Sequence, residues 1–274
     1  MMRWIALVSV FAAAGLATAH AQWTDMKTPG APRGKDGKVL MTAPAPRLDG
    51  KPDLSGVWQV EGESRAPGAL FGIGESINSR YFRNILSDFP AGQQPLTPLG
   101  VELLRKNTAP GAFNPLLNCV PDGVPHGDLL PEPFKIINSR GVIVMLYEVE
   151  TTFRQIYMDG RKLPADPSPR YQGYSVGRWD GDTLVIDSSG FNDRGWIDAR
   201  GTPHTEAMRV TERFHRRDYG HLDLAVTVSD PAVFTRDIPF SVVLDLMPDT
   251  DVFEHYCLEN ERDDTHFPGR ARNR

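Results

Sequence analysis

Met208 to Val228 reads MRVTERFHRRDYGHLDLAVTV, two runs of alternating apolar and polar residues around Asp218-Tyr219-Gly220. A period of two marks a strand with one buried face, and the Gly-containing break marks a hairpin. A three-residue loop with Gly220 in the left-handed position pairs Phe214 with Leu224, Glu212 with Val226 and Val210 with Val228. One face is then Met208, Val210, Phe214, Leu222, Leu224, Val226 and Val228; the other is Arg209, Thr211, Arg213, His215 and Arg217 with Asp223 and Thr227. A two-residue loop would mix apolar and charged residues on both faces, so the pattern itself selects the first register. The consequence falls on Glu212, which shares the apolar face. A carboxyl there must be paired, hydrogen-bonded or protonated. It is either an acid or base with a raised pKa or one half of an ion pair with an inward Arg154 or Arg178.

Three more hairpins flank this one. Gly141 to Tyr157 (GVIVMLYEVETTFRQIY) turns near Glu150-Thr151 and stops at Asp159-Gly160. Tyr174 to Asp187 (YSVGRWDGDTLVID) turns at Asp180-Gly181, which sets Trp179 opposite Asp182 and Arg178 opposite Thr183. There Trp179, Leu184 and Ile186 share one face, and Tyr174, Val176, Arg178, Val185 and Asp187 the other. Phe240 to Leu258 folds back around Pro248-Asp249-Thr250, with either Glu254 and Tyr256 or His255 and Cys257 joining Leu244 and Leu246. Adding Leu54 to Val60 (LSGVWQV) gives about nine strands and no long helix among them. An all-β antiparallel meander is expected, and closing it into a β-barrel removes exposed edges. Between Glu61 and Pro133 lies a loop-rich cover whose one clear helix is Thr97 to Asn107, with Thr97 as cap and Pro98 at the first helical position.

The chain has 274 residues, 40% hydrophobic and 24% charged, with 25 Gly, 23 Pro and 2 Cys. That excludes a membrane bundle, a fibre and a small disulfide scaffold. The net charge is −5, without a basic block larger than the C-terminal Arg270–Arg274, so no nucleic-acid partner is expected. Residues 1–21 read as a secretory signal: Arg3, an apolar run from Trp4 to Ala17, and Ala19-His20-Ala21 as a cleavage site. No membrane insertion follows it, and the expected location is periplasmic or secreted. Residues 22–52 read as a poorly ordered Pro/Gly-rich lead-in, a tether or wrap; 53–262 are the barrel domain and 263–274 a polar tail. In an oxidising compartment Cys119 and Cys257 favour a disulfide; a catalytic thiol is the competing reading.

Chemistry is sought in the loop before the central hairpin, Pro203-His204-Thr205-Glu206. If extended, it projects His204 and Glu206 to one side of a strand entrance, where a His beside a carboxylate is a general base near neutral pH. A metal site from His126, His204, His255 and Glu206 lacks HxxxH or HExxH spacing, so neither metal nor cofactor is expected. GxSxG, Walker, GxGxxG and CxxC motifs are missing as well. The aromatics Phe153, Tyr157, Tyr171, Tyr174 and Trp196 suit core packing or an aromatic guest.

Ile156–Arg161 (IYMDGR), Gly173–Asp187 (GYSVGRWDGDTLVID), His204-Thr205-Glu206 and Glu212-Arg213-Phe214 resemble a large, mostly uncharacterised family of exported proteins of soil and marine bacteria, over roughly residues 115 to 260. The resemblance implies no particular activity. Gly56-x-Trp58 on the first strand is similar to the opening of calycin and lipocalin barrels, which implies a calycin-like barrel. The function expected is an exported, cofactor-independent acid–base enzyme, of isomerase, lyase or hydrolase type, acting on a small apolar or aromatic molecule in the barrel cavity. Glu212, His204, Glu206, Arg178 and Tyr174 would form the catalytic set, with Trp179, Tyr157, Arg154 and Phe214 against the ligand. A lipocalin-like carrier or sensor is the alternative. A third reading, a structural or interaction module, predicts a barrel filled by side chains with no cavity.

Overall fold

A computed structural model describes residues 26–61 and 80–257; the signal sequence and the tail from 263 lie outside them. Nine strands close into one barrel: β1 (Gly56–Val60), β2 (Phe134–Ser139), β3 (Val142–Tyr147), β4 (Phe153–Tyr157), β5 (Tyr174–Asp180), β6 (Thr183–Ser189), β7 (Arg209–Arg216), β8 (His221–Ser229) and β9 (Ile238–Leu246). Each pairs with its neighbour in sequence, and β9 closes onto β1 through Leu246 with Trp58 and Leu244 with Val60.

The central hairpin has the register that its pattern selects: Phe214 with Leu224, Glu212 with Val226, Val210 with Val228. Val210, Phe214, Leu222, Leu224, Val226 and Val228 are all buried, each contributing about 1.5–3 kcal/mol by leaving water. Gly220, however, is not left-handed. It is required by close approach: Cβ there would lie 2.7 Å from Met41 Cβ, because Gly220 N donates to Met41 O.

Four other expectations are corrected. The barrel is not wholly antiparallel, since β4 and β5 run parallel through Ile156 with Ser175 and Tyr157 with Val176. The Pro-rich connection 158–173 carries the chain back to the end where β4 began, as a parallel pair requires. The β5–β6 turn sits one residue later than expected, with Asp180 facing Thr183 and Trp179 facing Leu184; this preserves both faces. The ninth strand is β2, whereas the segment after Pro248 forms no second arm but crosses the outside of the barrel, held by Lys135 to Asp251 at 2.8 Å. Finally, the described part of the lead-in, 26–52, wraps one barrel end, with Tyr219 N donating to Ala43 O at 2.7 Å and Val39, Met41 and Ala43 packing on the core. A few apolar pegs, a two-residue antiparallel pairing of Arg47–Leu48 with Lys51–Pro52 and an Arg33–Val39 bridge order it without any periodic signal.

The strand directions sort the connections. The short turns 139–142, 180–183 and 216–221 gather at the wrapped end, where the Arg216 guanidinium lies over the Trp58 ring at 4.9 Å and donates to Asp53 O, Ser55 O and Tyr219 O. The long connections 61–133, 190–208 and 230–237 all leave from the opposite end, the mouth. Helix α1 (Arg80–Arg83), helix α2 (Pro98–Asn107) and helix α3 (His126–Leu129) lie in the first of these. Thr97 caps α2 by accepting from Gly100 N at 3.1 Å, as the sequence predicts. Cys119 and Cys257 form a disulfide across 138 residues, which fits an oxidising, extracellular compartment. Among the described residues no helix is long and apolar enough to cross a membrane.

Candidate functional site

Glu212 is fully buried on the inner face of β7, and it is paired. Arg154 on β4 grips both its oxygens, Nη1 to Oε1 at 3.0 Å and Nη2 to Oε2. Two more guanidinium hydrogens go to Ser175 Oγ at 3.0 Å and Ser188 Oγ at 2.8 Å. Small serines on β5 and β6 leave the room that a guanidinium in a filled barrel needs. Helix α3 plugs the mouth with all four residues buried and lowers Asp128 toward this pair, its Oδ2 3.6 Å from Arg154 Nη1. Tyr147 Oη donates to Asp128 Oδ1 at 2.7 Å, while Asp128 Oδ2 has no hydrogen-bond partner. Burial, and then the neighbouring Glu212 charge, hold the Asp128 carboxyl well above the carboxylate range against the pull of Arg154. One cation thus serves one carboxylate, and the second acid is pushed toward its protonated form. Arg154 itself stays charged, because Glu212 outweighs the cost of burial.

The other expected partners of Glu212 are elsewhere. Alternation turns Arg178 to the outer face, in an ion pair with Asp187, and Asp187 also accepts from Thr211 Oγ1 at 2.9 Å. Tyr174 and Tyr157 stack on each other outside the wall at 5.1 Å, and Arg161 lies over Tyr157 and donates to Tyr174 Oη. The wall separates all three from Glu212, so the expected catalytic set does not assemble in the lumen. Phe214 is core, Trp179 packs against that core near the wrapped end, and the Arg154 guanidinium is held by Glu212, Ser175 and Ser188. The lumen around Glu212 is filled by side chains such as Trp58, Phe134, Met145, Ile156 and Phe214.

His204 occupies a second place at the mouth. Two buried carboxylates fix its loop. Asp198 accepts from Thr202 N, Thr202 Oγ1 and Ile85 N at 2.6–3.1 Å; Asp230 accepts from Thr205 N and Thr205 Oγ1. Asn107 at the end of α2 donates to Gly201 O at 2.9 Å and closes the far side. Between these elements lies a cavity of about 630 Å³ lined by His204 and Trp196, by Tyr171 and Phe113, and by Lys106 and Arg194, within the size range of small-molecule sites. His204 Nδ1 faces Thr205 O at 3.4 Å, and Nε2 points toward Gly195 on the cavity wall. Burial lowers the His204 pKa, so the ring is neutral at neutral pH. Glu206 does not join it: the segment is a turn, with Ala207 N donating to Thr205 Oγ1, and Glu206 is exposed on it.

The four residues weighed for a metal do not converge. His126 pairs with Asp122 at 3.0 Å and stacks on Phe82, while His255 faces the Glu150-Thr151 turn. Among the described residues the one group with converging ligand atoms is Cys119, Cys257 and Glu150, whose sulfurs are consumed by the disulfide.

No protein-family model, curated protein or solved structure matches the chain. Ser175, Ser188 and Tyr147 were legible as inward positions by counting alternate residues from Leu184, Gly177 and Met145. Asp128, Lys106, Phe113 and Arg194 carry no such signal, since they sit on short helices and irregular loops of the long connections.

Proposed function

We propose that the protein is exported and binds a small aromatic molecule in the mouth cavity, where His204 acts as a general base. The observation that carries this reading is a half-buried, neutral imidazole whose Nε2 lies beside Gly195 on the wall of a cavity lined by Tyr171, Trp196 and Phe113. A neutral imidazole with a free nitrogen accepts a proton at neutral pH, and the aromatic wall supplies most of the binding surface. The reaction is then a cofactor-free proton transfer of the isomerase, lyase or hydrolase kind. The Arg154–Glu212–Asp128 cluster is the scaffold beneath it.

Native mass spectrometry of protein from its own host, followed by incubation with the extracted guest, tests the reading. Conversion of the guest, lost in His204→Ala while binding persists, supports catalysis. Turnover should fall as pH drops through the His204 pKa, below its ordinary 6.5, because the base is then protonated. A guest returned intact at every pH supports the second reading, a carrier; that reading is favoured by His204 Nδ1, which among the described residues meets a backbone carbonyl and hydrogen-bonds to no carboxylate.

A further inference from the structure

The charges on the cavity wall are unbalanced. Lys106 in the last turn of α2 and Arg194 in the loop after β6 both line it, against one carboxylate, Asp193. Neither cation forms an ion pair among the described residues. His204 adds no positive charge, being neutral. A neutral aromatic guest would leave both cations unused, and a cationic one would be repelled by them. A planar carboxylate matches the two-pronged guanidinium and gains from the second positive charge, while its ring is left to Tyr171, Trp196 and Phe113.

Resting on the mouth-cavity reading above, we propose that the molecule taken there is a small aromatic carboxylate, held by Arg194 and Lys106 through its acid group and by the three aromatic side chains through its ring. The pair of cations then sets the class of substrate, and His204 acts on what the ring carries.

Isothermal titration of the purified protein with benzoate, methyl benzoate and cyclohexanecarboxylate tests this. Benzoate is expected to bind about tenfold or more tightly than its ester, the scale of one charge-assisted hydrogen bond, and more tightly than the non-aromatic acid. Arg194→Ala and Lys106→Ala, both at exposed positions, should each weaken benzoate by about the same factor and leave methyl benzoate unchanged. Equal binding of benzoate and its ester, with both variants silent, overturns the carboxylate assignment while the aromatic cavity stands. Binding of none of the three probes overturns both.

Discussion

Glu212 is held in a filled barrel by one guanidinium, and its worth can be separated from that of its neighbour. Removing one partner of a buried ion pair ordinarily costs about 3–5 kcal/mol, because the other charge is stranded. Here Asp128 lies 3.6 Å from Arg154, its carboxyl pushed toward the protonated form by burial and by the Glu212 charge. In Glu212→Gln it is freed from the Glu212 charge, ionises and takes over the pairing. The single variant should therefore lose clearly less than the Glu212→Gln/Asp128→Asn double variant, which strands Arg154. Urea unfolding at neutral pH gives the coupling; additive losses would refute the exchange of roles. Asp128 also shapes the pH dependence. Its folded pKa lies above the ordinary 3.8, so its contribution is complete at lower pH and declines as pH rises toward the folded value, the unfolded chain ionising first. Asp128→Asn keeps the Tyr147 hydrogen bond through its amide oxygen and should flatten this decline in unfolding titrations across acid to neutral pH.

At the scale of elements, caps and close approaches set where segments begin and meet. Thr97→Ala removes the oxygen that accepts from Gly100 N and should lower stability by about 1 kcal/mol, read as a shift in the urea midpoint at constant slope. Gly220→Ala should cost more than a surface substitution, because its Cβ meets the Met41 backbone and side chain, with Cα at 3.0 Å. The loss should appear together with proteolytic sensitivity in 26–52, the segment pulled away. The central hairpin was legible because a strict period of two permits only one register. The parallel β4–β5 pair was not, since nothing local in 158–173 says on which side of β4 the chain returns. The arm after Pro248 failed for a related reason: alternating residues such as Phe253, His255 and Cys257 imitate a strand, but β1 already holds the edge of β9.

For the whole molecule, the Cys119–Cys257 bond ties the mouth cover to the segment that crosses the barrel. Opening a loop of this size removes up to about 4–5 kcal/mol on the chain-entropy account. Unfolding with and without a dithiol reductant should show a loss of that order, with folded far-ultraviolet dichroism retained before the transition; an unchanged midpoint would mean the bond constrains little. What the sequence determined alone was the barrel, its inward faces and the burial of Glu212, because hydrophobic alternation is a local code that the pleat reads directly. What the tertiary structure decided was the assembly of sites: which cation meets Glu212, that Arg178 and Tyr174 stand outside the wall, and that His204 faces Trp196, Lys106 and Arg194. Those arrangements depend on strands and loops far apart in the chain, and the path of an irregular loop is settled by where its few pegs, caps and buried carboxylates find partners.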